Sequence, residues 1–385
     1  MDQDIRDFVP ASCELLALGE PTHREPAFGL VRNELLVRLV DLGFRSIAIE
    51  IDRVAALSVN DFVRGGAGDL DRVLEEGFSH DFGELDANRR LVAWLREYNE
   101  DRSAEERVAF HGFDTPGENF SAPSPRGYLE YARDRLGLDL DIAGLTGDDE
   151  RWSRAEAVMD PAMSPGITEE AVRLRVIADG MLGELYARAP ELIAATSRAE
   201  WSGTRTRLTA GIGLLRYHEQ CARHPEQAVR LRAQIATRDA LMAENLLDIR
   251  DIEAERGATL VFTHNLHLRR TPSVWRFGDE DLDWFSAGAI VGSLVGERYA
   301  CVAGSLGRSE GLGLGEPEAD TYEGALQAGV TTWGLRAATG LAPARTRTDT
   351  TPEKGYFPLE EATVAGVDAV LHIADAGAIV KTVGS

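Results

Sequence analysis

The chain has 385 residues, with 41 Lys+Arg against 64 Asp+Glu and a formal net charge of −23. That balance excludes a protein whose partner is a nucleic-acid backbone, because tracking phosphates requires a basic face. A hydrophobic share of 44% with 27% charged residues fits a soluble globular protein and excludes a disordered or fibrous one.

The N-terminus, MDQDIRDFVP, carries acids where a secretory signal carries positive charge. Cys13, Cys221 and Cys301 are far apart and form no CxxC pair, which suits a reducing compartment. The longest apolar or small run, Ala287 to Val295, is about half of the ~20 residues that a membrane span needs. A cytoplasmic protein without a membrane partner is expected.

Nearly continuous apolar runs predict strands at Leu15–Gly19, Arg45–Ile49, Arg107–Gly112, Ala258–Thr263, Tyr299–Gly304 and Ala369–Ile373. Runs of this kind mark strands buried on both faces. With helices between them they predict an α/β fold around a largely parallel sheet. After the first strand, Phe28, Val31, Leu35 and Leu39, with Leu36 and Val40 beside them, follow helical spacing, and Gly43 supplies the stop.

The stretch from about Pro125 to Arg256 has no strand pattern and carries amphipathic helical spacing around 169–188, 206–221 and 225–255. It reads as a helical insertion, 125–256, capping the C-terminal ends of the strands. The α/β catalytic core is then 1–124 and 257–385. The glycine-rich loop after the fifth strand, with Gly311, Gly313 and Gly315, matches neither GxGxxG nor GxxxxGK[ST], so no nucleotide loop is expected.

Ligands of open α/β sheets bind beyond the carboxyl ends of the strands. The first predicted strand runs into Glu20 and His23, the second into Glu50, the third into His111 and Asp114, and the fourth into His264, Asn265 and His267. Thr22 followed by Glu25 has the form of a capping box, which makes His23 the first helical residue. The helix dipole would then lower its pKa and keep the ring neutral. A neutral imidazole can take a proton from water, with Glu20 or Glu50 accepting its other N–H. The two histidines of THNLH also suit a zinc site, although no HExxH occurs. His80, His111, His218, His224 and His372 read as surface or core residues. No GxSxG elbow is present, so activated water is expected as nucleophile.

The string LALGEPTHREPAFGLVRNELLVRLVDLGFRSIAIE resembles the opening signature of the erythromycin esterase family. So do NDFVRGG, WLREYN, the GFD at 112–114, RDALMAENL at 238–246 and THNLH at 263–267, in the same order. The resemblance implies a metal-independent hydrolase, without cofactor, that opens a macrolactone ester with histidine-activated water. It implies His23 as the catalytic histidine, Glu20 as its partner, Glu50 as the acid after the second strand and His264 as the second essential histidine. Arg32 corresponds to a functionally important arginine on the first helix. Asp114, Arg238, Asn265 and His267 complete the expected site as substrate contacts, with Asn265 also able to support an oxyanion. One departure is Arg24, where the family has glycine.

The function expected is hydrolysis of a lactone or ester of a bulky, macrolide-type natural product. The alternatives are a biosynthetic tailoring enzyme of the same family, for cyclisation, elimination or hydrolysis, and a metal-binding or non-catalytic relative. The partner expected is a bulky small molecule. A cationic amino sugar on it would suit the acidic protein.

Overall fold

Successive strand residues point to opposite faces, so a strand covered on both sides needs apolar side chains throughout. In β1 (Leu15–Glu20), Leu16 and Leu18 enter one core while Leu15 and Ala17 enter another. The computed structural model describes residues 4–118, 120–278 and 280–383. Residues 1–3, 119, 279, 384 and 385, all of the expected core, lie outside them. The remaining strands are β2 (Phe44–Asp52), β3 (Ala109–Asp114), β4 (Ala258–His264), β5 (Ser273–Phe277), β6 (Glu280–Trp284), β7 (Tyr299–Arg308), β8 (Trp333–Ala337) and β9 (Ala369–Asp375).

Seven of these form one sheet in the order β3-β2-β4-β1-β7-β9-β8. Its pairings are parallel except for β8, which runs antiparallel to β9 at the edge. The chain moves from β1 towards β2 and β3 on one side and later to β7 and β9 on the other. The C-terminal end of β1 is thus where the order reverses, which is where such sheets bind ligands. The edge strand β8 and the separate β5–β6 hairpin were not expected, since short, partly polar strands lack the two-faced apolar signal.

The helix α1 (Pro26–Asp41) buries Phe28, Val31, Leu35, Leu36, Leu39 and Val40, the face its spacing predicts. Gly43 follows it at φ +94°, a conformation glycine adopts without strain. Between β3 and β4 the chain is helical and includes α2 (Arg198–Arg223) and α3 (Gln227–Glu253). Leu129, Trp152, Leu174, Met181, Leu208 and Leu215 form a core of its own there.

The helix α3 is different. Its Met242, Leu246 and Ile249 pack with Ala48, Phe113 and Val261 on the sheet. The boundary at 256 placed this whole helix in the cap, whereas it belongs to both bodies. Amphipathic spacing shows that a face is buried but not which partner buries it. No helix among the described residues is long and apolar enough to cross a membrane.

Asn265, expected to face substrate, is instead a clasp between strands. It opens a single helical turn, α4 (Asn265–Leu268). Its Nδ2 donates to the Gly304 carbonyl and its Oδ1 accepts from the Gly304 N–H, both at 2.8 Å. Gly19 of β1 lies so close that a Cβ there would come within 2.3 Å of Asn265 Oδ1. Replacing Asn265 by alanine leaves the Gly304 N–H without this acceptor, and a loss of about 2–4 kcal/mol is expected in denaturant unfolding. A loss below about 0.5 kcal/mol would contradict the clasp.

Candidate active site

Parallel pairing places Glu20 opposite His264 at the ends of β1 and β4. In β2 the register slips between Ile49 and Asp52, and such an irregularity re-aims the side chains within it. Glu50 lies there. Its Oε2 accepts from Thr263 Oγ1 at 2.7 Å and from the His264 N–H at 2.8 Å. Its Oε1 accepts from the Arg238 guanidinium at 3.0 Å. The same oxygen lies 3.4 Å from His267 Nε2 and 3.9 Å from His23 Nε2. Burial would raise the Glu50 carboxyl, but His267, His23, Arg238 and the His264 amide hold it well below the usual carboxylate range.

His23 does not lie on the first helical turn. Pro26 is the first residue of α1 and Glu25 caps it, accepting from the Ala27 N–H at 3.3 Å. Thr22 Oγ1 accepts instead from the Arg24 N–H. A proline suits the first helical position, where no amide donor is required. The turn before it leaves His23 between two carboxylates. Its Nδ1 is 2.7 Å from Glu20 Oε1. Burial favours the neutral ring, but Glu50 and Glu20 outweigh it and raise the pKa to about 9. The expectation of a lowered value fails for that reason. Glu20 is itself raised by burial, against the pull of His23.

His264 is the opposite case. Burial and the nearby His23 charge push its pKa down to about 3. Its Nδ1 accepts from the Leu266 N–H at 3.2 Å, so the proton of the neutral ring is on Nε2. That atom is buried and makes no well-formed hydrogen bond, although the Pro21 backbone favours a protonated ring. The His264 ring packs 4.8 Å from Phe357 and 5.3 Å from His23 between centroids.

Arg32, on α1, is 1% exposed and lines the same cavity as Glu20, His23 and Glu50. Its guanidinium bonds Asn33 Oδ1 and the Ala87 carbonyl and lies 4.7 Å from the centre of the Phe262 ring. Burial lowers its pKa to about 10 even though Glu20 favours the charge.

Around this centre Arg238 binds both oxygens of Asp114. Burial opposes the Asp114 charge, but Arg238 and His80 hold the carboxyl far below its usual value. Asp239, the next residue of α3, accepts from His267 Nδ1 at 2.9 Å, the Trp284 indole at 2.8 Å and the Ala287 N–H at 2.7 Å. His267 is raised by Asp239 and Glu50 against the effect of burial. His267 and Arg238 are therefore held within the charge network, at 3.3 Å from one another. His111 points elsewhere and binds Glu253.

Among the described residues, no group of three or more His, Cys, Asp or Glu side chains is placed to hold a metal ion. His264 and His267 diverge, one nitrogen serving the Leu266 amide and another Asp239.

A family model for erythromycin esterase matches residues 40–378. The chain belongs to the erythromycin esterase family. The matched span holds Glu50, Asp114, Arg238, His264 and His267, while Glu20, His23 and Arg32 precede it. Three solved structures are similar to this family member. One is a Bacillus cereus protein, at 16% identity and TM-score 0.66 over 96% of this chain and 90% of that one. Another is a histidine-to-asparagine mutant of the erythromycin esterase EreC in its open conformation, at 17% and 0.66 over 95% and 91%. A succinoglycan biosynthesis protein matches at 15% and 0.67 over 96% and 90%. At such identities the likeness is one of fold. No curated protein matches the chain.

In this member of the erythromycin esterase family, Arg24 acts as a tether. Its guanidinium donates to the Glu353 carbonyl at 2.8 Å, and the Phe357 N–H donates to the Pro21 carbonyl at 2.9 Å. Together they hold the segment carrying Phe357 over the histidine turn. Sequence reasoning missed His80, Phe82 and Phe357. His80 and Asp81 both have φ of 59°, unusual for residues other than glycine though histidine and aspartate tolerate it best. His80 Nδ1 is 2.7 Å from Glu118 and its Nε2 3.6 Å from Asp114. Phe82 packs against both His80 and His23.

Imidazole titration followed by NMR is expected to give His23 a midpoint near 9 and His264 one near 3. Because folding raises the His23 pKa, its ion pairs stabilise the native state fully below about pH 6.5 and fade as pH rises through about 9. Glu50→Gln removes the largest raising charge, so the His23 midpoint should fall. An unmoved midpoint would show that Glu50 does not set it.

Proposed function

We propose that this protein hydrolyses a lactone or other ester of a bulky, macrolide-type natural product, using water deprotonated by His23. One observation carries the reading. His23 has Nδ1 tied to Glu20 and Nε2 3.9 Å from Glu50, and it lines a cavity of about 30 Å³ together with Glu50, Arg32, Phe82 and Phe262. That volume holds about one water.

A glutamate on Nδ1 fixes the tautomer that leaves Nε2 free to act as base, and it stabilises the imidazolium that forms. The proton of the water passes to Nε2 while its oxygen bonds to the ester carbonyl carbon. The Nε2–H of His264, buried and unused, is a donor for the negative oxygen that develops. Arg32 adds positive potential from the cavity wall. The carbon–oxygen bond then breaks, and the leaving alkoxide takes its proton back from Nε2 of His23. The products are a carboxylic acid, which ionises, and an alcohol.

The raised His23 pKa makes the neutral ring a strong base but a minority species at pH 7. Below about pH 9, kcat/KM is expected to rise with unit slope in log–log form and to level off above it. His23→Ala is expected to lower kcat by about 10²–10⁴. For His264→Ala the loss should be about 10²–10³ with the alkaline rise unmoved, since that ring stays neutral throughout. A macrolide and lactone panel, followed by mass spectrometry for the gain of one water, tests the reaction itself. Full activity in His23→Ala, or products lighter by one water, would overturn the reading.

A further inference from the structure

A second cavity, of about 200 Å³, opens between α2, α3 and the end of β3. Leu241, Ala210 and Gly213 give it an apolar wall, and Arg53, Arg205 and Asp248 a charged one. Arg53 follows β2, Arg205 is on α2 and Asp248 on α3. Each arginine binds a different oxygen of the one aspartate. The arginine side chains are 8% and 17% exposed.

The other acids of the lining have partners outside it, Asp114 binding Arg238, which it shares with Glu50, and Glu244 binding Arg216. The remaining bonds of Arg53 go to the neutral Asn245, and those of Arg205 to the Tyr186 hydroxyl at 3.3 Å. Burial and the neighbouring Arg205 both work against the Arg53 charge. One carboxylate therefore serves two largely buried guanidiniums. Arg53, Arg205 and Asp248 together carry about one surplus positive charge, in a protein of net charge −23. A buried charge without a full counter-charge is costly, and an incoming anion removes that cost. Two guanidinium groups also present the paired N–H geometry that recognises a carboxylate.

We infer that this cavity binds a carboxylate between Arg53 and Arg205, either an acidic substituent of the ester substrate or a free small organic acid. Arg53 is three residues beyond Glu50, about 10 Å along an extended chain, and its N–H donates to the Asp114 carbonyl. An ester with its carbonyl at His23 would need an acidic arm of about that length to place its carboxylate at Arg53. The substituent source rests on the hydrolase reading; the carboxylate site does not. At this wall the local sign is the reverse of the overall charge, so the Arg53–Arg205 end of the pocket disfavours the cationic amino sugar that the composition alone would admit.

Calorimetric titration with benzoate and with benzamide, alike in shape and different in charge, tests the site. Benzoate is expected to bind at least about tenfold more tightly, as one charge-assisted contact implies. Arg205→Gln should erase that preference. Asp248→Asn, which frees the second guanidinium, should strengthen benzoate binding. Damage to the fold would weaken binding in both variants, so the opposite directions separate the effects. Equal affinities, no benzoate binding, or a preference that survives Arg205→Gln would overturn the inference.

The sources are separated by the 4-nitrophenyl esters of azelaic acid (the monoester) and nonanoic acid, the azelate chain spanning about the 10 Å between the two sites. A higher kcat/KM for the azelate, competed by benzoate, supports the substituent. Equal values with benzoate binding intact support the free acid. If neither these esters nor the macrolide and lactone panel is hydrolysed, the hydrolase reading fails while the benzoate result still decides the site.

Discussion

A single buried carboxylate organises this protein's chemistry. Glu50 is 4% exposed, and an ionised group so placed persists only with ample compensation. The Thr263 hydroxyl and the His264 amide hold one oxygen; Arg238 holds the other. The charge then acts in two directions, raising His23 on one side and His267 on the other. The same fixed charge favours a proton on His264 as well, but burial and the His23 charge outweigh it and that ring stays neutral. Two histidines 5.3 Å apart thereby take opposite protonation states. Environments that drive two neighbouring titratable groups apart are a common mark of sites that move protons.

Support for this centre comes from parts of the chain remote in sequence. The β5–β6 hairpin supplies Trp284, whose indole fixes Asp239, which in turn fixes His267. The segment ending in Phe357 closes over the histidine turn. His80 and Asp81 hold two successive left-handed conformations beside the cavity, a backbone state that survives only where surrounding contacts impose it.

Glu20, Glu50, Asp114 and His264 were legible in the sequence because buried parallel strands advertise themselves as apolar runs, and their C-terminal ends converge whatever the loops do. Asn265 looked equivalent to its neighbours. Spacing along a chain does not reveal that its amide turns inward to Gly304. The His23 charge state was misread because Thr22 and Glu25 have capping-box spacing, while Pro26 decides where the helix starts. Arg238 stood out only through a resemblance, and its hold on two carboxylates from different strands is a tertiary fact. His80 carried no signal, since its importance lies in backbone geometry and in the nearness of Asp114.

Arg238 and Asp239 are adjacent on α3, the helix shared by cap and sheet. Arg238 lowers the proton affinity of His23, and it does so from an element that also packs into the cap. Helix position and proton occupancy are consequently linked quantities, and linkage is reciprocal. A displacement of α3 that loosened Arg238 from Glu50 would tighten the proton on His23. Loss of that proton would in turn favour the arrangement in which Arg238 stays engaged. Through Arg238, the placing of this helix and the strength of the His23 base are tied to one another.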